Sequence, residues 1–188
     1  MPKYQLKANT ALENHRTEIN GVKISEIGNI EIYSLAVKLN EEGKAAATIK
    51  KIFSCKMPAP GNAFISESQK TRILRLSIDQ LFLFLNSREF EKVNDHFQEF
   101  SKFFYITEQT DAWSGVKVSG SRVFECLERI CPINLSTKTF PVNSFARTSM
   151  EHLNALIVKT KSNEFELYSA SSSAKSFLHA IETSAKNI

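Results

Sequence analysis

Residues 71–104 read TRILRLSIDQLFLFLNSREFEKVNDHFQEFSKFF, and their pattern decides the fold. Two runs rich in β-forming residues, 71–77 and 81–85, stand on either side of Ile78-Asp79-Gln80. This spacing predicts a β-hairpin, because two such runs separated by a few turn residues pair most easily with each other.

An amphipathic helix is predicted over residues 87–104. Asn86 and Glu89 have the spacing of a capping box, in which each side chain bonds the backbone at the start of a helix. Apolar residues then recur at steps of three and four, namely Phe90, Val93, Phe97, Phe100 and Phe104. Such a stripe is more typical of a helix face packed in a core than of a binding groove.

The same pattern returns in the second half of the chain. Residues 73–84 match 157–168 at a shift of 84 positions, counted from Ile73 to Ile157. The shift also carries the helix stripe onto the last helix, pairing Phe90 with Ala174, Val93 with Phe177 and Phe97 with Ile181. We interpret this as an internal duplication; the alternative is that two units of this kind align passably by chance.

Each half is predicted to begin with a strand and a helix. Val37-Lys38-Leu39 ends the first of these strands and matches Val116-Lys117-Val118, which precedes a helix predicted over 121–131. We therefore predict an α+β fold of two interlocked β-α-β-β-α (ferredoxin-like) pseudo-repeats, about 30–108 and 109–188, that lend each other strands. The helices are expected to pack on one face of mainly antiparallel sheet.

The domain boundaries follow from the polar start of the chain. Residues 1–29 show no sustained apolar period, so we predict an N-terminal arm that a partner could order. Residues 30–188 are predicted to form a single compact domain, because a chain of 188 residues can bury one sizeable core. Pro58, Pro60 and Gly61 predict a loop over 54–70.

Composition narrows the class of protein. A hydrophobic content of 42% and a charged content of 23% are typical of a soluble globular protein. The net charge of +4 is spread along the chain, and Lys50-Lys51 is the one adjacent basic pair, so we expect no nucleic-acid partner. No apolar run approaches the ~20 residues of a membrane span, and no signal peptide is visible. Three cysteines indicate reduced thiols, so we predict a cytoplasmic location.

Cysteine and histidine do not form a pattern typical of catalysis or metal binding. Cys126 and Cys131 stand five apart without a histidine pair, so we predict core and helix-end packing for them, not zinc binding. No nucleophile turn of the Gly-x-Ser-x-Gly kind accompanies any histidine. The four histidines are His15, His96, His152 and His179.

Phosphate-binding and dinucleotide-binding patterns are also missing. Ser119-Gly120-Ser121 lacks the further glycines and the lysine of a P-loop, and we predict that it caps the helix over 121–131. No glycine-rich fingerprint follows a strand, so flavin or NAD has no recognisable site. We therefore predict no catalytic, cofactor-binding or metal-binding residues in this chain.

Several short segments occur in an order that resembles the gamma subunit of bacterial heterotetrameric sarcosine oxidase. The C-terminal ones are Asp111-Ala112-Trp113, Gly115–Val118, Cys131–Leu135, Phe140-Pro141, Ala146–Thr148, Phe165–Leu167 and Ala174–His179. The N-terminal ones are Ala11-Leu12, Gly21–Glu26, Ser34–Val37, Pro58, Pro60 and Asn62. The family's fold is related to the folate-binding domain of the glycine-cleavage T-protein.

The resemblance implies a non-catalytic subunit that stabilises a flavoenzyme complex. That complex oxidatively demethylates sarcosine to glycine, with formation of hydrogen peroxide and methylenetetrahydrofolate. FAD, FMN, NAD and tetrahydrofolate would be bound by the partner subunits, with the alpha subunit as the main partner and the beta and delta subunits in the same complex. Asp111 and Trp113 resemble a family feature, and no catalytic role is assigned to them.

Two other functions remain open on the sequence. One is a stand-alone folate-binding protein of the T-protein fold, acting in one-carbon transfer or RNA modification. The other is a generic α+β binding module. Fold alone does not separate these classes.

Overall fold

The computed structural model describes residues 9–68 and 70–188. The strands in this part of the chain are β1 (Arg16–Ile19), β2 (Val22–Ile27), β3 (Ile30–Val37), β4 (Ala63–Ile65), β5 (Thr71–Arg75), β6 (Gln80–Asn86), β7 (Phe104–Glu108), β8 (Trp113–Gly120), β9 (Phe145–Met150), β10 (Leu153–Lys161) and β11 (Glu164–Ala170). The α-helices are α1 (Glu42–Phe53), α2 (Ser87–Asn94), α3 (Phe97–Phe103), α4 (Val123–Glu128) and α5 (Ala174–Lys186).

The strands form two antiparallel sheets. Sheet A has the order β1-β2-β8-β11-β10-β9, and sheet B has the order β4-β5-β6-β3-β7. Four strands of each sheet correspond, because β3-β6-β5-β4 and β8-β11-β10-β9 have the same order and direction. The 84-position shift carries β6 onto β11 residue for residue. The predicted α+β fold with two ferredoxin-like pseudo-repeats is confirmed.

Strands β3 and β8 occupy corresponding positions in the two sheets, and each pairs with one further strand outside the shared set of four. These two further strands come from different parts of the chain. In sheet B, β7 pairs with β3 and comes from the same half of the chain, whereas in sheet A the strand that pairs with β8 is the N-terminal β2. A strand is therefore lent by the segment before the first repeat, and the repeats do not exchange strands with each other.

The prediction of an arm over 1–29 is wrong for residues 16–27, which form β1 and β2. Val22 and Ile24 are fully buried in sheet A, whereas Lys23 between them is exposed. This alternation covers too few residues to be recognised as a strand within a polar segment. Asn20 and Gly21 both have positive φ and connect the two strands. An Asn-Gly pair is a strong hairpin signal, so the sequence did carry this information. Residues 1–8 lie outside the described part of the chain.

The molecule has four layers, in the order helix, sheet, sheet, helix. The outer face of sheet A packs against α4 and α5 around Phe177 and Ile181. The outer face of sheet B packs against the other helices around Ile49 and Phe100. The inner faces of the sheets meet in a third apolar cluster that includes Phe84, Leu156, Val158 and Tyr168. The predicted packing of helices on one face of each sheet is confirmed.

The helix predicted over 87–104 is two helices, α2 and α3. Asn86 Oδ1 caps the first by accepting from Glu89 N at 3.0 Å, as its spacing predicted. The break at Asp95 and His96 turns the chain so that Phe90 and Phe97 both contact Tyr33. Phe90 stacks on the Tyr33 ring at 5.9 Å between centroids, and Phe97 packs against it at a tilt at 4.8 Å. Both rings remain half-buried, and the fully buried member of the stripe in α3 is Phe100.

Candidate functional site

A row of polar residues crosses the inner face of sheet A. Arg16, Ser25, Lys117 and Glu166 lie directly opposite one another on β1, β2, β8 and β11. Directly opposed residues on neighbouring strands project from the same face of a sheet. The next residue across the sheet, opposite Glu166 on β10, is the apolar Val158, which belongs to the apolar cluster between the sheets. The polar residues of this face therefore lie beside that cluster, on the strands of sheet A that extend past it.

Arg72 and Glu166 form an ion pair across the gap between the sheets. Arg72 Nη2 donates to Glu166 Oε1, and Tyr168 OH donates to Glu166 Oε2 at 2.8 Å. Burial raises the pKa of Tyr168 well above its ordinary value, and the neighbouring carboxylate raises it further, so the phenol remains a donor. Burying an unpaired carboxylate between the sheets would destabilise the fold. The ion pair with Arg72 and the hydrogen bond from Tyr168 compensate the charge of Glu166 and offset this destabilisation.

Two clefts open beside this network, one on each side of the connection between β2 and β3. The basic cleft, about 300 Å³, is lined by the polar row together with Arg72 and Asn86. The Trp113 cleft, about 510 Å³, is lined by Thr10, Glu31, Asp111, Trp113 and Ser114 among others. Residues 26–30 form part of both walls.

Glu26 ties the N-terminal residues to this connection. Its carboxylate accepts hydrogen bonds from Thr10 Oγ1 at 2.6 Å, Leu12 N at 2.9 Å and Asn14 N at 2.6 Å. Both oxygens are therefore occupied by the turn at 10–14, and the turn closes one wall of the Trp113 cleft.

Asp111 and Trp113 are brought to one cleft by a 3-10 turn over residues 110–112 that leads into β8. Asp111 is exposed, whereas Trp113 packs edge-on against Phe82 of the opposite sheet at 5.6 Å. The hydroxyl of Ser114 is buried and makes no hydrogen bond with any described residue. Trp113 thus contributes to the contact between the sheets as well as to the cleft.

The cysteines lie in the two outer cores, as predicted for Cys126 and Cys131. Both pack in the core beneath α4 and α5, and Cys55 packs in the core of sheet B. Burial raises the pKa of the Cys55 thiol to about 11 and also raises the pKa of Cys126 and Cys131. A thiol with a raised pKa is a weak nucleophile at neutral pH. Within residues 9–68 and 70–188, no three His, Cys, Asp or Glu residues are grouped to hold a metal ion.

The histidines are dispersed over the fold. His15 Nε2 lies 2.8 Å from Glu182 Oε1, which links the N-terminal segment to α5. His96 lies at the break between α2 and α3, and His152 lies in the tight turn between β9 and β10. His179 is exposed on α5, 3.5 Å from Thr183 Oγ1.

The predicted capping role of Ser119-Gly120-Ser121 is wrong. Helix α4 begins at Val123 after Arg122 and has no side-chain cap. Gly120 instead ends β8 with φ +132°, and a Cβ there would lie 2.1 Å from Gly21 O. This glycine allows the backbones of β2 and β8 to approach each other.

Lys159 is a further buried charge besides Arg72 and Glu166, and the sequence pattern did not single it out. Its Nζ donates to Phe140 O at 3.0 Å and to Leu135 O at 3.3 Å, and it lies 5.0 Å from the centre of the Phe124 ring. Burial lowers the pKa of Lys159. The residue holds the segment 135–140 against sheet A.

The fold is similar to that of proteins of known structure. Heterotetrameric sarcosine oxidase from Corynebacterium sp. U-96, in complex with pyrrole 2-carboxylate, has a chain that matches with a TM-score of 0.75 and 16% identity, covering 91% of this chain and 87% of that chain. The glycine cleavage system aminomethyltransferase T from Bartonella henselae matches with a TM-score of 0.60 and 10% identity, covering 87% of this chain and 46% of that chain.

These matches confirm the resemblance seen in the sequence at the level of the fold. No family model matches the sequence, and no curated protein matches it. No helix among the described residues is both long enough and apolar enough to span a membrane.

Proposed function

We propose that this chain is a non-catalytic, gamma-type subunit of a cytoplasmic sarcosine oxidase complex. The observation that carries the proposal is the fold match to a chain of heterotetrameric sarcosine oxidase, which extends over 91% of this chain and 87% of that one. Because the match covers nearly the full length of both chains, it favours an equivalent subunit of a complex over a domain that the two proteins merely share. The fold by itself does not fix the function, so a physical account of docking is also needed.

Turnover and cofactors are assigned to the partner subunits. In this proposal FAD, FMN, NAD and tetrahydrofolate are bound by the alpha and beta chains, and this chain stabilises the alpha chain by binding its folded form. The burial of Cys55, Cys126 and Cys131, with raised pKa values, supports a chain without a nucleophilic thiol.

A docking surface is present at one end of sheet B. Leu39, Ile78 and Tyr105 are 85%, 68% and 66% exposed, which is unusual for large apolar side chains. Val37 N donates to Asp79 O at 2.7 Å, and Lys38 Nζ lies 5.2 Å from the centre of the Tyr105 ring. These contacts gather the three side chains around residues 37–39, and we call them the sheet B patch.

The edge strand β7 makes this patch suitable for a protein partner. Tyr105 belongs to β7, which ends sheet B, so its outward backbone groups make no ladder bonds within the described chain. An extended partner segment could pair with such an edge while the apolar side chains contact its surface. A permanent subunit interface buries upwards of roughly 2,000 Å² in total, so the patch would be the centre of a larger contact.

Co-expression with a candidate alpha chain tests the proposal. We expect co-purification of the two chains and a higher melting temperature for this chain in the complex. Ile78→Asp combined with Tyr105→Ser should abolish co-purification, whereas Val142→Asp, a change of an exposed apolar residue outside the patch, should not. The proposal is wrong if the wild-type chain neither co-purifies with the partner nor is stabilised by it.

A stand-alone folate-binding protein is the second candidate, and the Trp113 cleft favours it. Its volume of about 510 Å³ suits a small organic ligand. Trp113 is the one tryptophan in the chain, so its fluorescence reports on this cleft. Saturable quenching by tetrahydrofolate in the isolated chain, without any stable partner complex, would favour this candidate over the subunit.

A further inference from the structure

The basic cleft combines cations from both sheets. Arg16 and Lys117 are separated on the inner face of sheet A by Ser25, which places their strands about 10 Å apart at the usual strand spacing. Arg72 approaches from sheet B with its side chain only 7% exposed. The floor of the cleft is therefore a buried, fixed network, and its rim carries two further positive charges.

The carboxylate and amide oxygens that line this cleft are already engaged. Both carboxylate oxygens of Glu166 accept hydrogen bonds, from Arg72 and Tyr168, and both oxygens of Glu26 accept from the turn at 10–14. Asn86 Oδ1 accepts from Glu89 N at the start of α2. These groups offer little to a ligand that donates hydrogen bonds.

The donors, in contrast, remain available. Within residues 9–68 and 70–188, the side chains of Arg16 and Ser25 make no hydrogen bond or ion pair, and the Asn86 amide nitrogen makes none either. Lys117 Nζ lies 3.8 Å from Glu164 Oε1, which is longer than a hydrogen bond. Arg16, the Ser25 hydroxyl and the Asn86 amide therefore face the cleft as free donors, and Lys117 keeps its hydrogen-bond donors while it forms a long ion pair with Glu164.

We infer that the basic cleft binds a small dianion that carries a phosphate or two carboxylates. Such a ligand supplies the acceptors that the free donors lack, and the three cations of the lining outnumber its two carboxylates, Glu26 and Glu166. Arginine and lysine both bind phosphate and carboxylate groups well. The volume of about 300 Å³ admits a small ligand. The ion pair of Arg72 with Glu166 fixes the floor of the cleft.

The inference is independent of the proposed function. Ile30, at the start of β3, lines the basic cleft, whereas the sheet B patch surrounds residues just after the end of the same strand. The two sites are therefore about 25 Å apart along an eight-residue strand. Variants that lose anion binding should still co-purify with an alpha chain. Variants of the sheet B patch that lose co-purification should still bind the anion.

Isothermal titration of the full chain with inorganic phosphate, and separately with succinate, tests the site at constant ionic strength. We expect saturable binding of at least one of them. The tighter of the two identifies a phosphate or a dicarboxylate as the preferred group, and equal binding supports the shared dianion chemistry. Absence of saturable binding with both anions overturns the inference.

Three variants locate the binding. Lys117→Gln and Arg16→Gln should each weaken it roughly tenfold, a loss typical of one charge-assisted contact. Lys175→Gln, which removes an exposed lysine on α5, is the matched control and should leave the affinity unchanged. Equal weakening by all three variants would show a general charge effect and contradict the site. Circular dichroism and melting curves of the variants exclude loss of the fold as the cause.

Discussion

Arg72 on β5 and Glu166 on β11 form an ion pair that joins the two sheets where both side chains are buried. The residues are 94 positions apart in the chain and belong to different pseudo-repeats. Because neither charge reaches solvent freely, each depends on the other for compensation. The pair therefore sets how the inner faces of the sheets meet beside the basic cleft.

We expect Arg72→Met to lower the free energy of unfolding by about 3–5 kcal/mol, because it leaves the Glu166 carboxylate buried without its cation. The double variant Arg72→Met with Glu166→Gln should recover much of this loss, since the glutamine amide is neutral and its oxygen can still accept from Tyr168. Urea denaturation of the wild type, the single variant and the double variant measures both effects. A double variant as unstable as the single one would show that the charge is not the cause.

The repeated hairpins could be predicted because their signals are local. Strands β5, β6, β10 and β11 are bounded by short turns, and both faces of each strand are buried. Their sequences are therefore nearly continuous apolar runs, which are easy to recognise. The break between α2 and α3 could not be predicted in the same way. The apolar spacing from Phe90 to Phe104 continues through it, and the change of direction is set by the pairing of β7 with β3.

The candidate site was not predictable from the sequence because it depends on distant pairings. Arg72 and Glu166 each share a strand with a second charged residue, Arg75 and Glu164, so nothing in the sequence singles them out or connects them. Arg16 and Lys117 become neighbours of one cleft only when β2 joins β8, and that pairing was missed with the N-terminal hairpin. Asp111 and Trp113 were singled out by resemblance, and the structure places both at the second cleft.

Lys159 should make stability depend on pH in the alkaline range. Burial lowers its pKa in the folded state below that of the unfolded chain, so the unfolded state binds more protons between the two values. The destabilising contribution of this charge is full below the folded pKa and is relieved as the pH rises towards the unfolded value of about 10.4. We therefore expect the wild type to gain stability relative to Lys159→Met over this interval. Denaturation curves of both proteins from neutral to alkaline pH measure the difference, and a constant difference would contradict it.

The two glycines Gly120 and Gly43 should respond to alanine in opposite directions. Gly120→Ala places a Cβ 2.1 Å from Gly21 O at a φ of +132°, so we expect it to cost about 3 kcal/mol or more by strain and by separating β2 from β8. Gly43 lies in α1, and a Cβ added there would meet no atom within 4 Å, so Gly43→Ala should stabilise by up to about 1 kcal/mol. Thermal melts of both variants give the signs directly, and destabilisation by both would show that local space does not decide the outcome.

Phe177 and Phe97 test how far the duplicated helices are equivalent. The 84-position shift pairs Val93 with Phe177 and Phe97 with Ile181, and it predicted buried sites throughout, yet Phe97 is half-buried whereas Phe177 is 1% exposed. Phe177→Ala should therefore cost about 3–5 kcal/mol, because it leaves a cavity in the core beneath α5. Phe97→Ala should cost clearly less, since part of the ring already contacts solvent and the site can relax towards it. Urea denaturation of both variants decides the order. If Phe97→Ala proved the more damaging change, the contact between the Phe97 and Tyr33 rings would have to contribute more than burial alone accounts for.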